Sequence, residues 1–176
     1  MITLMEAGEK SPAFKPDFRE ITIDEARPII EKWHYAKTLG SGRFCFGAEW
    51  NGELIAVLVF VDSRGHYQRV SELMCTGKNP IYDTFYMSSL MRYARGKLTD
   101  YYDLLVTFCD TRVGTGVMFQ GDRWRYDGIR AVGDHELKRR DKNGWFTYWK
   151  PITEAGEDLA RNLGLQSLSY PKKHAR

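Results

Sequence analysis

Residues 104–110, Leu-Leu-Val-Thr-Phe-Cys-Asp, constrain this chain more than any other stretch. An apolar run that ends in a carboxylate and then breaks into glycines reads as a buried strand. The run delivers Asp110 to a sheet edge and then breaks into Thr111-Arg112-Val113-Gly114-Thr115-Gly116, a turn that leaves backbone N–H groups free. A short helix is expected from Val117, so the turn would also present a helix N-terminus, which favours anionic or polar ligands. Two readings of Asp110 stay open: a cap for a plain strand-turn-helix connection, or a carboxylate with chemistry to do.

The chain has 176 residues, enough for one domain with a full core and too few for two ordinary ones. Residues 1–20, with Pro12 and Pro16 and no periodicity, read as an arm, and 21–176 as the domain with a basic C-terminal tail. Cys45, Cys75 and Cys109 are odd in number and lie in separate apolar runs, which suits buried thiols and excludes a disulfide framework. No apolar run is long enough to span a membrane and no leader is evident, so a cytoplasmic protein is expected, in the host cell if phage-encoded. The net charge of +3 permits contact with nucleic acid or CoA phosphates without requiring it, and 14% aromatic residues provide either core or stacking surface.

Thr22 and Glu25 have capping-box spacing, and Ala26, Ile29, Ile30 and Trp33 recur at helical intervals up to His34-Tyr35; Pro28 weakens the start of this helix. Residues 44–50 and 53–61, joined by Asn51-Gly52, form a hairpin pattern. A further strand is expected over 67–76. A helix follows, capped by Asp83 or Thr84, with Met87, Leu90, Met91 and Ala94 on its apolar stripe and Gly96 as its stop. After residues 104–120 come a final hairpin (129–132 with 145–149) and a short helix from Thr153 to Gly164. The order predicts an α/β domain around one mixed, largely antiparallel sheet flanked by helices.

Helix, three-strand meander, helix, strand, helix, strand resembles the order of the GCN5-related N-acetyltransferase (GNAT) superfamily. Typical members cradle the CoA pyrophosphate in an Arg/Gln-x-x-Gly-x-Gly/Ala loop after the meander. Residues 77–83, Gly-Lys-Asn-Pro-Ile-Tyr-Asp, lack that pattern, so the usual acetyl-CoA loop is absent. The details are more similar to a divergent branch, the Mom proteins of phages such as Mu. The likeness is carried by His34-Tyr35, Phe46-Gly47, Gly52-Glu53-Leu54-Ile55, Ser88 or Ser89, the strand ending in Asp110, Gly116 and Gln120, then Trp124, Tyr126 and Gly128, and the terminal Tyr170-Pro171-Lys172-Lys173-His174. Thr115 and Phe119 stand where the family pattern has His and Tyr. The resemblance implies conversion of DNA adenine to N6-(carbamoylmethyl)adenine, which protects phage DNA from restriction. Carbamoylmethyl is an alkyl substituent whereas acyl-CoA chemistry gives an amide, so the donor stays unassigned.

Each candidate has a functional and a purely structural reading. Asp110, His34, Tyr35, Arg69 and Ser88 are the catalytic candidates, and Ser89, Gly114 and Gly116 those for the donor. Asp110 would hold or deprotonate the adenine amino group, and Arg69 would meet a phosphate or carboxylate. Solvent-facing Arg and Ser residues are the plainer alternative. A His34, Tyr35, Asp110 set would also suit iron or another divalent metal. Arg112, Arg123, Trp124, Arg125, Tyr126, Lys138, Arg139, Arg140, Lys172, Lys173 and Arg176 interleave positive charge with aromatic rings, a pattern for double-stranded DNA, or otherwise a solvated charged surface. Base extrusion would bring adenine to Tyr35, Phe44 or Trp124. A homodimer is compatible with the sequence. The alternatives are an acyl-CoA-dependent N-acetyltransferase acting on a small amine or protein, and a non-catalytic DNA-binding module.

Overall fold

The computed structural model describes residues 14–83, 85–112, 116–130 and 144–171. The elements run β1 (Asp17–Ile21), α1 (Ile23–Trp33), β2 (Phe44–Trp50), β3 (Glu53–Asp62), β4 (Val70–Lys78), α2 (Met87–Leu98), β5 (Leu104–Asp110), α3 (Val117–Gly121), β6 (Arg125–Arg130), β7 (Trp145–Pro151) and α4 (Glu154–Asn162). The strands form one seven-stranded sheet in the order β1-β2-β3-β4-β5-β7-β6. Only β4 and β5 are parallel; every other neighbouring pair is antiparallel. No helix of the described residues is long and apolar enough to cross a membrane.

The local signals act as the side chains dictate. Thr22 and Glu25 close a reciprocal capping box on α1, which carries Pro28 in its interior without a shifted start. Asn51 and Gly52 both take positive φ, 52° and 78°, the geometry a two-residue hairpin turn requires. Thr153 caps α4 by position, but its hydroxyl donates to Asp103 Oδ1 at 2.6 Å instead of serving the helix.

Several boundaries differ from expectation. Residues 17–20, read as part of an arm, form with Ile21 the edge strand β1 against β2, with alternation too short to stand out in the sequence. β4 begins at Val70 because Arg69 has φ 55° and turns the chain there. Tyr86, not Asp83 or Thr84, is the N-cap of α2, and the helix passes exposed Gly96 because buried Leu98 holds its last turn on the core. β6 starts at Arg125, four residues ahead of the expected strand. Residues 131–143, including Lys138, Arg139 and Arg140, lie outside the described residues, as do Gly114, Lys172, Lys173 and Arg176.

The sheet separates two apolar layers. On one face α2 and α3 bury Leu90, Met91, Ala94 and Phe119 against Phe46, Leu58, Phe60, Leu105 and Tyr148. On the other, α1 packs Ala26 and Ile30 on Val57 and Val59, and α4 packs Ala160 on Leu104, Val106 and Trp149. β5 is therefore covered on both sides.

Candidate active site

The parallel pair opens partway along. β4 and β5 pair from Val70 opposite Leu104 to Leu73 opposite Thr107 and no further. Thr107 Oγ1 donates to the Leu73 carbonyl at 2.8 Å at that last step. A register shift between β3 and β4 sets Val59 opposite Cys75 but Phe60 opposite Leu73, so Met74 is the extra residue of a bulge. Bulges bend the strand that carries them, and this one lies where β4 leaves β5. Beyond it β4 stays with β3, and β5 continues along β7 to Asp110.

The space between the strands is a cavity of about 430 Å³. Leu73, Met74 and Thr76 line it from β4 and Thr107, Phe108 and Cys109 from β5, with Trp33, His34 and Tyr35 at the end of α1 and residues 116–119 opposite. A second cavity of about 660 Å³ shares Trp33, Thr76, Val117 and Met118 with the first and extends past Lys78 and Ser88 to Gly121. Together they make a cleft through the open part of the sheet. Gly116 sits at φ 66°, and a Cβ there would lie 2.7 Å from the Tyr148 ring and 2.9 Å from Phe119.

His34 and Tyr35 leave α1 with their ring centroids 4.4 Å apart. His34 Nδ1 accepts the Ala36 N–H at 3.3 Å, which leaves the proton of the neutral ring on Nε2. Burial lowers the His34 pKa, so at neutral pH the ring is uncharged and offers a donor at Nε2. Tyr35 is 52% exposed, and burial of part of its ring together with the nearby Asp110 charge raises its phenol pKa, so it keeps its proton. Burial likewise pushes the Cys109 thiol up to about 11, which makes it a poor nucleophile.

Asp110 is 5% exposed. Its Oδ1 accepts the Arg112 backbone N–H at 2.8 Å, the turn-closing contact of the plainer reading, and both its oxygens accept from the Arg112 guanidinium. That guanidinium holds the Asp110 carboxyl below its ordinary range. Asp110 is thus an ionised acceptor and a weak base, and its field reaches Tyr35. His34 and Tyr35 line the first cavity, and Asp110, one residue past the lining Cys109, acts on Tyr35 through its charge.

Other candidates separate from them. Arg69 pairs with Asp103 at the opposite end of the β4–β5 pair, so it cannot serve this cleft. Ser88 lines the second cavity beside Gly121, whereas Ser89 faces a different cavity with Phe14, Phe18 and Phe85. Trp124 is 1% exposed, with its indole N–H on Asp122, and Tyr126 is 8% exposed; both belong to the core and neither can stack on a base. Arg125 is paired with Glu157 and lies over Trp149. Arg112 and Arg123 are exposed. α3 has only five residues, too short for the dipole effect expected of it. No group of three His, Cys, Asp or Glu side chains suited to a metal occurs among the described residues, and Arg112 already occupies the Asp110 oxygens.

Sequence reasoning missed Trp33, Thr76, Thr107, Cys109 and Met118 as cleft residues. Thr107, the polar break in an apolar strand, was the one visible signal. Among the described residues of the β4–α2 loop, four N–H groups are taken up inside the protein: Asn79 N–H goes to the Ile55 carbonyl, Ile81 N–H to Asn79 Oδ1, Tyr82 N–H to the Asn79 carbonyl and Phe85 N–H to the Tyr82 carbonyl.

No family model matches the sequence, and no curated protein matches it. Solved structures do match the fold. The ribosomal-protein-S18-alanine N-acetyltransferase from Escherichia coli is similar over 82% of this chain and 98% of its own, with TM-score 0.58 at 14% identity. A GNAT-family N-acetyltransferase from Escherichia coli in complex with CoA is similar over 84% of this chain and 87% of its own, with TM-score 0.58 at 13% identity. A Bacillus subtilis acetyltransferase, also in complex with CoA, is similar over 79% of this chain and 100% of its own, with TM-score 0.57 at 15% identity. The chain has the GNAT acetyltransferase fold.

Proposed function

We propose that this protein is a group-transfer enzyme that holds its donor in the β4–β5 cleft and acts on an amino group at the His34–Tyr35 mouth. We further propose that this amine is N6 of adenine in double-stranded DNA. The observation that carries the transfer reading is the cleft. It has sheet edges on both sides, which suits an extended donor whose amides continue the ladder, and it occurs in a fold shared with acetyltransferases.

The mouth favours adenine. The exposed Tyr35 ring offers a face to a base extruded from the duplex, and ionised Asp110, released as the exposed Arg112 guanidinium turns from it to a phosphate, accepts from the exocyclic N–H. In this reading Tyr35 stacks, Asp110 orients the amine, His34 donates from Nε2, Ser88 and Gly116 border the donor and Arg112 meets phosphate. The likeness to Mom proteins implies N6-(carbamoylmethyl)adenine as the product.

A second reading, acyl-CoA-dependent acetylation of a small amine or protein, draws on the two CoA complexes among the similar structures. The missing Arg/Gln-x-x-Gly-x-Gly/Ala pattern over residues 77–83 weighs against it. Expression in a bacterium, digestion of its DNA to nucleosides and mass spectrometry separate the two. A new adenine species that disappears with Asp110→Ala is the expected result. Unmodified adenine, with labelled acetyl transferred from acetyl-CoA to an amine, would select the second reading; unmodified adenine with salt-sensitive DNA binding alone would leave a DNA-binding module.

A further inference from the structure

On the α2–α3 face, one turn along α2 from Ser88, lies a separate polar cavity of about 410 Å³ lined by Arg92, Arg95, Gly121, Asp122, Arg123 and Lys150. It carries four cations and one carboxylate. Arg92 and Arg95, three residues apart, share a helix face, while Arg123 and Lys150 come from the α3–β6 turn and β7. Asp122, 4% exposed, is consumed inside the fold: it accepts from Arg95 at 3.0 Å and from the Trp124 indole N–H at 3.0 Å.

The other cations face the cavity without a carboxylate partner. Lys150 Nζ donates to the Asp122 carbonyl at 2.7 Å and the Arg123 carbonyl at 3.2 Å, which locks the turn and leaves a third N–H of the ammonium. Arg123 holds φ at 58°, a left-handed conformation that an arginine seldom adopts. Arg92 and Arg123 are exposed and form no ion pair among the described residues. Burial first, and then the neighbouring Arg95, lowers the Lys150 pKa. Gly121 lines both this cavity and the donor cleft, so the two adjoin.

We propose that the Arg92–Arg95–Arg123–Lys150 cavity is a phosphate-binding site beside the donor cleft. Guanidinium forks and an ammonium in a concave polar site suit the oxygens of a phosphate group. The phosphate belongs either to a DNA backbone or to a phosphorylated donor, and the inference stands independently of which amine is modified.

Binding of a short DNA duplex and of coenzyme A is measured across a salt series for the wild-type protein, for Arg92→Ala with Arg123→Ala, and for the charge-matched control Lys15→Ala with Lys97→Ala. Among the described residues neither Arg92 nor Arg123 forms an ion pair, and unchanged thermal melting confirms that the variant is folded. The expected result is a loss of at least about tenfold per guanidinium for one probe, with the log–log salt slope for duplex falling by about 0.9 for each phosphate contact removed. Loss with duplex assigns the site to the DNA backbone, and loss with coenzyme A to a phosphorylated donor. A wild-type protein that binds neither probe, or an arginine variant that weakens binding no more than the lysine control, overturns the proposal. Nucleoside mass spectrometry reads the adenine proposal separately.

Discussion

β5 has an aspartate at each end and an arginine on each aspartate, yet the two ends do different things. Asp103, just before the strand, accepts from Arg69 and from Thr153, and thereby ties the start of β4 to the start of α4. There the parallel pair is zipped. Asp110, at the far end, is bound by an arginine two residues away that is 86% exposed at its side chain, and it connects no second element. There the strands are open and a cleft begins. A carboxylate tied to two elements stabilises the fold; one held only by a local, solvent-facing side chain opens to a ligand when that side chain turns away.

Exchanging the two aspartates should give the largest effect. Asp110→Ala is expected to lower nucleoside modification at least about a hundredfold, while stability in urea changes by about 1 kcal/mol. Asp103→Ala should do the reverse, with about 2 kcal/mol of stability lost and the folded fraction active. Modification that survives Asp110→Ala, or falls equally in both variants, would break the contrast. Gly116→Ala comes next. A Cβ there meets Tyr148 and Phe119 at a positive φ, so a stability loss of about 2 kcal/mol is expected, with weaker donor binding. Tyr35 is a smaller effect. Tyr35→Ala should raise the KM for DNA about tenfold and Tyr35→Phe should leave it near wild type, because stacking needs the ring; a Phe variant as impaired as Ala would assign the role to the hydroxyl.

The closed end was harder to read in the sequence than the open one. β5, the Asn51-Gly52 hairpin and α1 were legible because periodicity and turn chemistry are local. The approach of Tyr35 to the charge of Asp110 was suggested only through a resemblance, since nothing local links positions 35 and 110. Arg69 was misplaced for the opposite reason: its partner Asp103 is far along the chain, and a φ of 55° removes it from the strand. Trp124 and Tyr126 looked like stacking rings because arginines flank them. β6 puts Trp124 and Tyr126 into the core, so charge interleaving described two sides of one strand end and not a single surface. The cavity with Arg92, Arg95 and Lys150 was invisible because its cations come from three elements.

The finest test of the contrast is acid stability. Both Asp103 and Asp110 have carboxyls held below the ordinary value of 3.8, chiefly by the hydrogen-bonded arginine in each case. A carboxyl whose folded pKa is depressed stabilises the protein above its unfolded pKa, and that stabilisation is lost as pH falls through the folded value. Stability should therefore decline on acidification from about pH 4 downward. Arg69→Ala and Arg112→Ala each return one carboxyl toward 3.8 and so flatten that decline. Arg69→Ala should flatten it more, because Arg112 is more exposed and its pair is better screened by water and salt. Urea unfolding of the two variants and the wild type at about pH 7 and about pH 3 measures the difference. An Arg112→Ala variant with the larger change would mean that the Asp110 pair, like its counterpart, is a structural tie, and the distinction between the two ends of β5 would fail.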